Sequence, residues 1–235
     1  MPAEARIIGV TPSHQFPLGV ALSARRRGAL LEAAQAQGAV IIEDDYDGEF
    51  RYAGRPLDAL QTLDRRGTVV YVGTFSKSLF PGLRLGYVVA PPWARAALLA
   101  AKQVADWHAP TLTQETLAAF IADGHLARHI RKMLSVYAKR RSALLEALAR
   151  HGSDLLEPIP SEAGLHLAAT IRGPIGASDV AARAAAQGVK LNTVGQFAKD
   201  DRAANALAFS FGLIDAEAMD EAIVAVCTAM RAQRG

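Results

Sequence analysis

Two stretches of this chain carry side chains that could act together: Ile41-Ile-Glu-Asp-Asp-Tyr46 and, further along, Thr74-Phe-Ser-Lys-Ser-Leu-Phe-Pro-Gly-Leu-Arg84. Lys77 lies between an apolar run, Val69-Val-Tyr-Val72, and Phe80-Pro-Gly82, a turn signal that stops a helix. An amine on such a strand-end turn can reach an aldehyde carbon from a rigid platform, as a covalently held carbonyl cofactor requires. A carboxylate opposite a pyridine nitrogen keeps that ring protonated and electron-withdrawing; Asp44 and Asp45, after the apolar Ala39-Val-Ile-Ile42, can each supply one. An ion pair at ~4 Å in an effective dielectric of ~20 is worth about 4 kcal/mol before desolvation. Tyr46 shares a side of an extended chain with Asp44, which brings a hydroxyl to the ring's phenolic oxygen. Thr74 and Arg84 offer the hydroxyl and guanidinium that a dianionic phosphate ester recruits. Aldehyde, pyridine, phenolic oxygen and phosphate together describe pyridoxal 5'-phosphate. Singly, an acidic turn and a surface lysine are ordinary solvated features. Their order, strand context and flanking arginine point jointly to a cofactor site.

The elements that must hold these groups alternate. Arg6 to Thr11 reads as a strand, Ser23 to Gln37 as a helix with a serine at its start and Gly38 at its end. Ala39 to Asp44, Thr68 to Gly73 and Arg84 to Val89 read as further strands. Short strands joined by helical connections imply an α/β fold with a largely parallel sheet, whose ligand sites lie at strand carboxyl ends. Beyond Pro92 the pattern changes to helices, from Trp93 to Asp106, Leu112 to Asp123 and His125 to His151. A strand from Ala163 to Ile171, a helix from Ala177 to Gln187, a strand from Ala206 to Phe211 and a helix from Ala216 to Arg231 then form a smaller α+β domain.

Composition narrows the class. The chain has 235 residues, 51% of them hydrophobic and 21% charged, enough to bury a core and too apolar for disorder. Cys227 is the single cysteine, so an internal disulfide and a cysteine zinc site are excluded and a reducing, cytoplasmic setting is expected. Apolar stretches are interrupted before they could span a bilayer, and no basic start with an apolar core opens the chain, so no membrane association is expected. The net charge is +3, and the basic groups Arg25-Arg-Arg27, Arg128 to Lys132 and Lys139-Arg-Arg141 read as solvated helix faces rather than a nucleic-acid surface. His14 suits a loop-stabilising hydrogen bond or a place beside a cofactor and is left outside the catalytic set. His166, in an alternating apolar run, reads as structural.

Three segments carry a family resemblance: Val10-Thr-Pro-Ser-His-Gln-Phe-Pro-Leu-Gly19, Ile42-Glu-Asp-Asp-Tyr-Asp-Gly-Glu-Phe-Arg-Tyr52 and Gly73-Thr-Phe-Ser-Lys-Ser-Leu-Phe-Pro-Gly-Leu-Arg84. With Gly124 to Met133 and Ala163 to His166, the chain resembles the aminotransferase-like domain of MocR-type transcriptional regulators of the GntR family. The resemblance implies a fold-type I, pyridoxal phosphate-dependent transferase-like architecture. Residues 1–124 would be a partial large domain, and 125–235 an interdomain helix with the C-terminal small domain. It further implies Lys77 as the Schiff-base lysine, Asp44 rather than Asp45 at the pyridine nitrogen, Tyr46 at the phenolic oxygen, and Thr74 and Arg84 at the phosphate. A homodimer and a small-molecule amine or amino acid effector are expected from it, with DNA contacted only through a winged helix that this sequence lacks.

The chain also departs from the family pattern. Measured against that family it is expected to begin within the large domain, without an early phosphate-binding turn and a ring-stacking residue. Four strands of an expected seven remain, and a sheet edge would need covering. Gln196 and the strand Ala206 to Phe211 stand where related sequences place an arginine for the substrate carboxylate, leaving Arg202 as a substitute in sequence. An effector sensor and an amino acid aminotransferase are therefore the two functional expectations, with little transaminase turnover in this chain.

Overall fold

The computed structural model describes residues 5–54, 57–199 and 205–232. Two compact units divide the chain: one comprises residues up to Gln15, Ala21–Glu49 and Gly54–Arg131, the other Phe16–Val20, Phe50–Ala53 and the chain from Lys132 onward.

In the first unit, β1 (Ile7–Val10), α1 (Ala24–Gln37), β2 (Val40–Asp45), the single turn α2 (Leu60–Leu63), β3 (Val69–Thr74) and β4 (Gly86–Val89) precede α3 (Pro92–Asp106) and α4 (Thr111–Ala122). The sheet order is β1-β2-β3-β4, with β1, β2 and β3 parallel and β4 antiparallel to β3. Helix α1 makes the crossover that parallel neighbours require. Its start is capped by Ser23, whose side chain accepts from the Arg26 amide, and its end by Gly38 at φ 62°, where a side chain would be strained. Leu31 and Ala34 of this helix pack with Ile41, Leu60 and Val69 into a buried core. The other sheet face is open: Ile42 and Val88 are exposed on it, and all of β4 is exposed.

The second unit takes most of α5 (His125–His151), then β5 (Leu156–Pro158), β6 (His166–Ile171), α6 (Ala177–Ala186), β7 (Asn192–Thr193), β8 (Ala206–Ser210) and α7 (Ala216–Arg231). Its strands run in the order β5-β6-β8-β7, antiparallel throughout. Leu144, Leu148, Leu167, Phe211, Ile223, Val226 and Met230 form its dry centre, and Cys227 is buried among them. Phe50 enters this core edge-on to Tyr137, with ring centroids 5.0 Å apart.

The parallel α/β sheet followed by a smaller α+β unit matches the fold class expected from the sequence. Differences lie where backbone geometry, not periodicity, decides. The strand expected from Arg84 begins at Gly86, because Arg84 closes the 3-10 turn Pro81–Leu83 in a left-handed conformation, φ 52°. The strand expected from Ala163 begins at His166; Ala163 makes only an isolated bridge to Arg51. The short α2, β5 and β7 have too few residues to show a period.

Arg27 corrects one expectation. Arg25 and Arg26 are solvated, but Arg27 is 3% exposed. Its guanidinium donates to the carbonyls of Leu22 (3.0 Å), Asp58 (2.5 Å) and Pro12 (2.8 Å), tying the loops after β1 and β2 to α1. Glu43 makes a second internal tie: wholly buried, it accepts from the amides of Leu60 (2.7 Å) and Gln61 (2.8 Å) at the start of α2, although burial raises its pKa. Replacing Arg27 leaves three carbonyls without their donor. Arg27→Met is expected to lower stability by about 2–4 kcal/mol, read as a reduced urea midpoint; an unchanged midpoint would refute the buried tie.

Candidate functional site

Parallel pairing of β1, β2 and β3 places their carboxyl ends at one end of the sheet, and the candidate residues follow from that register. Asp44 pairs with Val72, and Thr74, two residues beyond Val72, points to the same sheet face as Asp44. Gly86 stands opposite Thr74 on β4 and adds no side chain there. Asp45 pairs with Gly73 and faces the other way, where its Oδ2 accepts from the Tyr71 hydroxyl at 2.9 Å. Tyr87 lies across Gly73 on that second face: a Cβ on Gly73 would come within 2.3 Å of the tyrosine Cζ. The neighbouring carboxylates thus diverge. Asp45 is engaged by a tyrosine, whereas Asp44 is exposed and makes no hydrogen bond or ion pair with a described residue.

The loop from β3 to β4 carries the cations. Thr74 Oγ1 accepts from the Ser76 amide (3.1 Å) and donates to Ser76 Oγ (3.0 Å), while the Leu79 amide closes a turn on the Phe75 carbonyl (2.9 Å). Lys77 sits in that turn with its side chain exposed. Arg84, also exposed, follows the 3-10 turn in a conformation that costs a non-glycine residue about 1–2 kcal/mol. Neither Lys77 nor Arg84 has a hydrogen-bond or ion-pair partner among the described residues, unlike Lys102, which pairs with Asp106 at 2.5 Å. The Ser78 hydroxyl, beside Lys77, is buried without a partner. An apolar cleft of about 370 Å³ is lined by Leu79, Phe80 and Leu83 of this loop and by Leu117 and Phe120 of α4.

Tyr46 differs from its expected setting. Strand β2 ends at Asp45, so Tyr46 begins a bend, and its hydroxyl donates to the carbonyl oxygen of His14 at 3.0 Å. His14 itself is buried and its Nδ1 lies 2.9 Å from Asp47 Oδ2. The loop hydrogen bond weighed for His14 is present. Its partner Asp47 was not singled out in the sequence, where it is one more acid in the run Glu43-Asp-Asp-Tyr-Asp-Gly-Glu49.

That run is electrostatically costly. Partial desolvation by its neighbours, then the charge of Asp47, raises the pKa of the solvent-exposed Asp44. For Asp45 burial again dominates against the Tyr71 hydrogen bond, with Asp47 adding to it, and Glu49 is raised by burial with Asp45 and Asp47 contributing. Burial and the same aspartates hold the Tyr46 phenol far above the ordinary tyrosine range. A cationic partner at Asp44 would relieve part of this. The donor set, with an unpaired amine, an unpaired guanidinium, a hydroxyl pair and an unengaged carboxylate, fits the aldehyde, phosphate and ring nitrogen of a pyridoxal phosphate.

On the substrate side, Gln196 is exposed in the 3-10 turn Val194–Phe197, and Arg202 falls outside the described residues. His166 is buried, and its ring meets Phe16 edge-on with centroids 4.8 Å apart. Among the described residues no helix is long and apolar enough to cross a membrane.

Comparison with known proteins places this architecture. The aminotransferase class I and II family profile matches residues 4–224, and the chain belongs to that family. Within it, the similarity reaches both regulators and enzymes. An uncharacterized HTH-type transcriptional regulator of Bacillus subtilis, YhdI, is 41% identical over 78% of this chain and 39% of its own length. The probable rhizopine catabolism regulatory protein MocR of Rhizobium meliloti is 41% identical over 70% of this chain and 33% of its own length. The crystal structure of Pyrococcus horikoshii kynurenine aminotransferase, in complex with PMP, superposes with a TM-score of 0.90 at 30% identity, covering 98% of this chain and 57% of that one. The chain therefore spans much less than the full length of these relatives.

The raised pKa of Asp45 has a signed consequence. Folding makes this carboxyl hold its proton more tightly, so its contribution to stability is full below the ordinary aspartate range and is lost as pH rises through the raised value. Asp45→Asn keeps an acceptor for the Tyr71 hydroxyl and removes that titration. Its unfolding free energy, relative to the unsubstituted protein, should therefore rise in urea titrations as pH climbs above the ordinary aspartate range of about 4; a difference that is flat or falls with pH would contradict the assignment.

Proposed function

We propose that this chain is the pyridoxal 5'-phosphate-binding, effector-sensing part of a MocR-type regulator. The observation that carries the reading is the pair of unpartnered cations, Lys77 and Arg84, on one loop at the sheet end that also bears Asp44 and Thr74. When bound, the cofactor supplies a carbonyl that exchanges amines and a protonated ring that withdraws electrons. Lys77 is the amine that attaches it. Asp44 holds the proton on the ring nitrogen, Tyr46 donates to the phenolic oxygen, and Thr74 and Arg84 bind the phosphate dianion. Residues 1–124 serve as part of the large domain and 125–235 as linking helix and small domain. The protein acts in the cytoplasm as a homodimer, its effector is a small amine or amino acid, and DNA is contacted through a winged helix outside this sequence.

A second reading, an amino acid aminotransferase, is favoured by the likeness to the kynurenine enzyme. Sensing is preferred because turnover needs a substrate carboxylate anchored so that one Cα bond stands perpendicular to the ring. The family resemblance implies an arginine for that contact at the position of Gln196, and this chain carries a glutamine there. Losing such a charge-assisted contact costs about 2–4 kcal/mol, or ~30- to ~1,000-fold in rate.

Incubation with pyridoxal phosphate, borohydride reduction and peptide mass mapping are expected to label Lys77. Lys77→Ala should lose the label and Lys102→Ala retain it; equal loss in both sinks the assignment. Arg84→Ala should weaken uptake about 10- to 150-fold. Rapid keto acid formation from any amino acid in a single turnover would transfer the preference to the enzyme reading.

A further inference from the structure

We propose that His14 and Asp47 form a positioning pair for the Tyr46 hydroxyl, and that Tyr46 transfers its hydrogen bond from the His14 carbonyl to the cofactor's phenolic oxygen on binding. This rests on the cofactor reading and adds residues to the same site. The argument is one of proton count. A phenol has a single hydrogen to donate, and here that hydrogen is committed to the His14 carbonyl oxygen at 3.0 Å. The nearby Nδ1, 3.4 Å from the hydroxyl, is no alternative acceptor. It lies 2.9 Å from Asp47 Oδ2, and since an ionised carboxylate only accepts, Nδ1 carries the hydrogen of that pair.

Both members of the pair are about 2% exposed, and the second oxygen of Asp47 is buried with no hydrogen-bond partner, so the geometry is held in a dry setting where displacement is costly. The pair spans the loops that follow β1 and β2. It fixes the histidine backbone beside Tyr46, so the hydroxyl waits at a defined place with its proton engaged. Release of the weaker, neutral bond in favour of one to an anionic phenolic oxygen is downhill. Desolvation and then the charge of Asp47 raise the pKa of both Asp44 and Tyr46, which places Asp47 electrostatically in the same group.

Two substitutions separate positioning from bulk. In His14→Asn the amide overlays Nδ1 and can donate to Asp47; in His14→Gln it overlays Nε2 and cannot. With ¹³Cζ-tyrosine labelling, the Tyr46 resonance is identified by its absence in Tyr46→Phe. In cofactor-free protein His14→Gln should shift that resonance and His14→Asn leave it near its original position; pyridoxal phosphate should shift it in the unsubstituted chain. Pyridoxal phosphate affinity should fall about 5- to 30-fold in His14→Gln and in Tyr46→Phe, and no further in the double variant. Additive losses, an unmoved resonance in His14→Gln, or equal behaviour of the two histidine variants would overturn the pair while Lys77-dependent uptake stays intact. Absence of Lys77-dependent uptake in the unsubstituted protein would instead sink the cofactor reading and the bond transfer with it.

Discussion

The parallel register of β1, β2 and β3 is the constraint on which the rest of the first unit depends. Because paired residues in adjacent strands face the same side, Asp44 opposite Val72 fixes Thr74 on the Asp44 face and Asp45 on the Tyr71 face. A slip of one residue would exchange them, turning Asp45 to the open face and away from the Tyr71 hydroxyl. The register in turn depends on ties outside the sheet. Arg27 grips three loop carbonyls and Glu43 grips the start of α2, so the loops leaving the strand ends are anchored by buried charge rather than by apolar contact alone.

These anchors make the acid-rich segment tolerable. Glu43, Asp45 and Asp47 are buried or nearly so, and each has a specific donor: backbone amides, a tyrosine hydroxyl and a histidine nitrogen respectively. Asp44 is the exception, lacking an internal partner while feeling the charge of Asp47. The loop between β3 and β4 shows the converse, with Lys77 and Arg84 uncompensated and Arg84 held in a strained backbone conformation. Exposed charges are ordinarily satisfied by water, so it is the meeting of these opposite charges at one sheet end, and not their exposure, that supports the proposed cofactor site.

Much of this was legible in the sequence because it depends on local signals. The helix Ser23 to Gln37 was bounded by a capping serine and a left-handed glycine, both of which act as expected. The carboxyl ends of β2 and β3, to within one residue, and the Pro81-Gly82 turn are likewise visible in composition. What escaped were contacts between residues far apart in the chain. Nothing local distinguishes Arg27 from Arg25 and Arg26; only the arrival of the Pro12 and Asp58 carbonyls at one helix face buries it. Asp47 was hidden for the same reason, its partner lying 33 residues away. Arg84 reads as the first residue of a strand because periodicity carries no information about the sign of φ.

The contrast between Asp44 and Asp45 shows how far chemistry alone can go. Adjacent aspartates in an apolar strand are equivalent by residue type, and spacing could not choose between them. Alternation assigns them to opposite faces, and Tyr71, itself placed by the β2–β3 pairing, consumes the acceptor capacity of one. The carboxylate left over is the one with Thr74 at its side. Selection thus occurs by occupation: an internal phenol takes Asp45, leaving Asp44 as the acid on that face able to meet an incoming cationic ring.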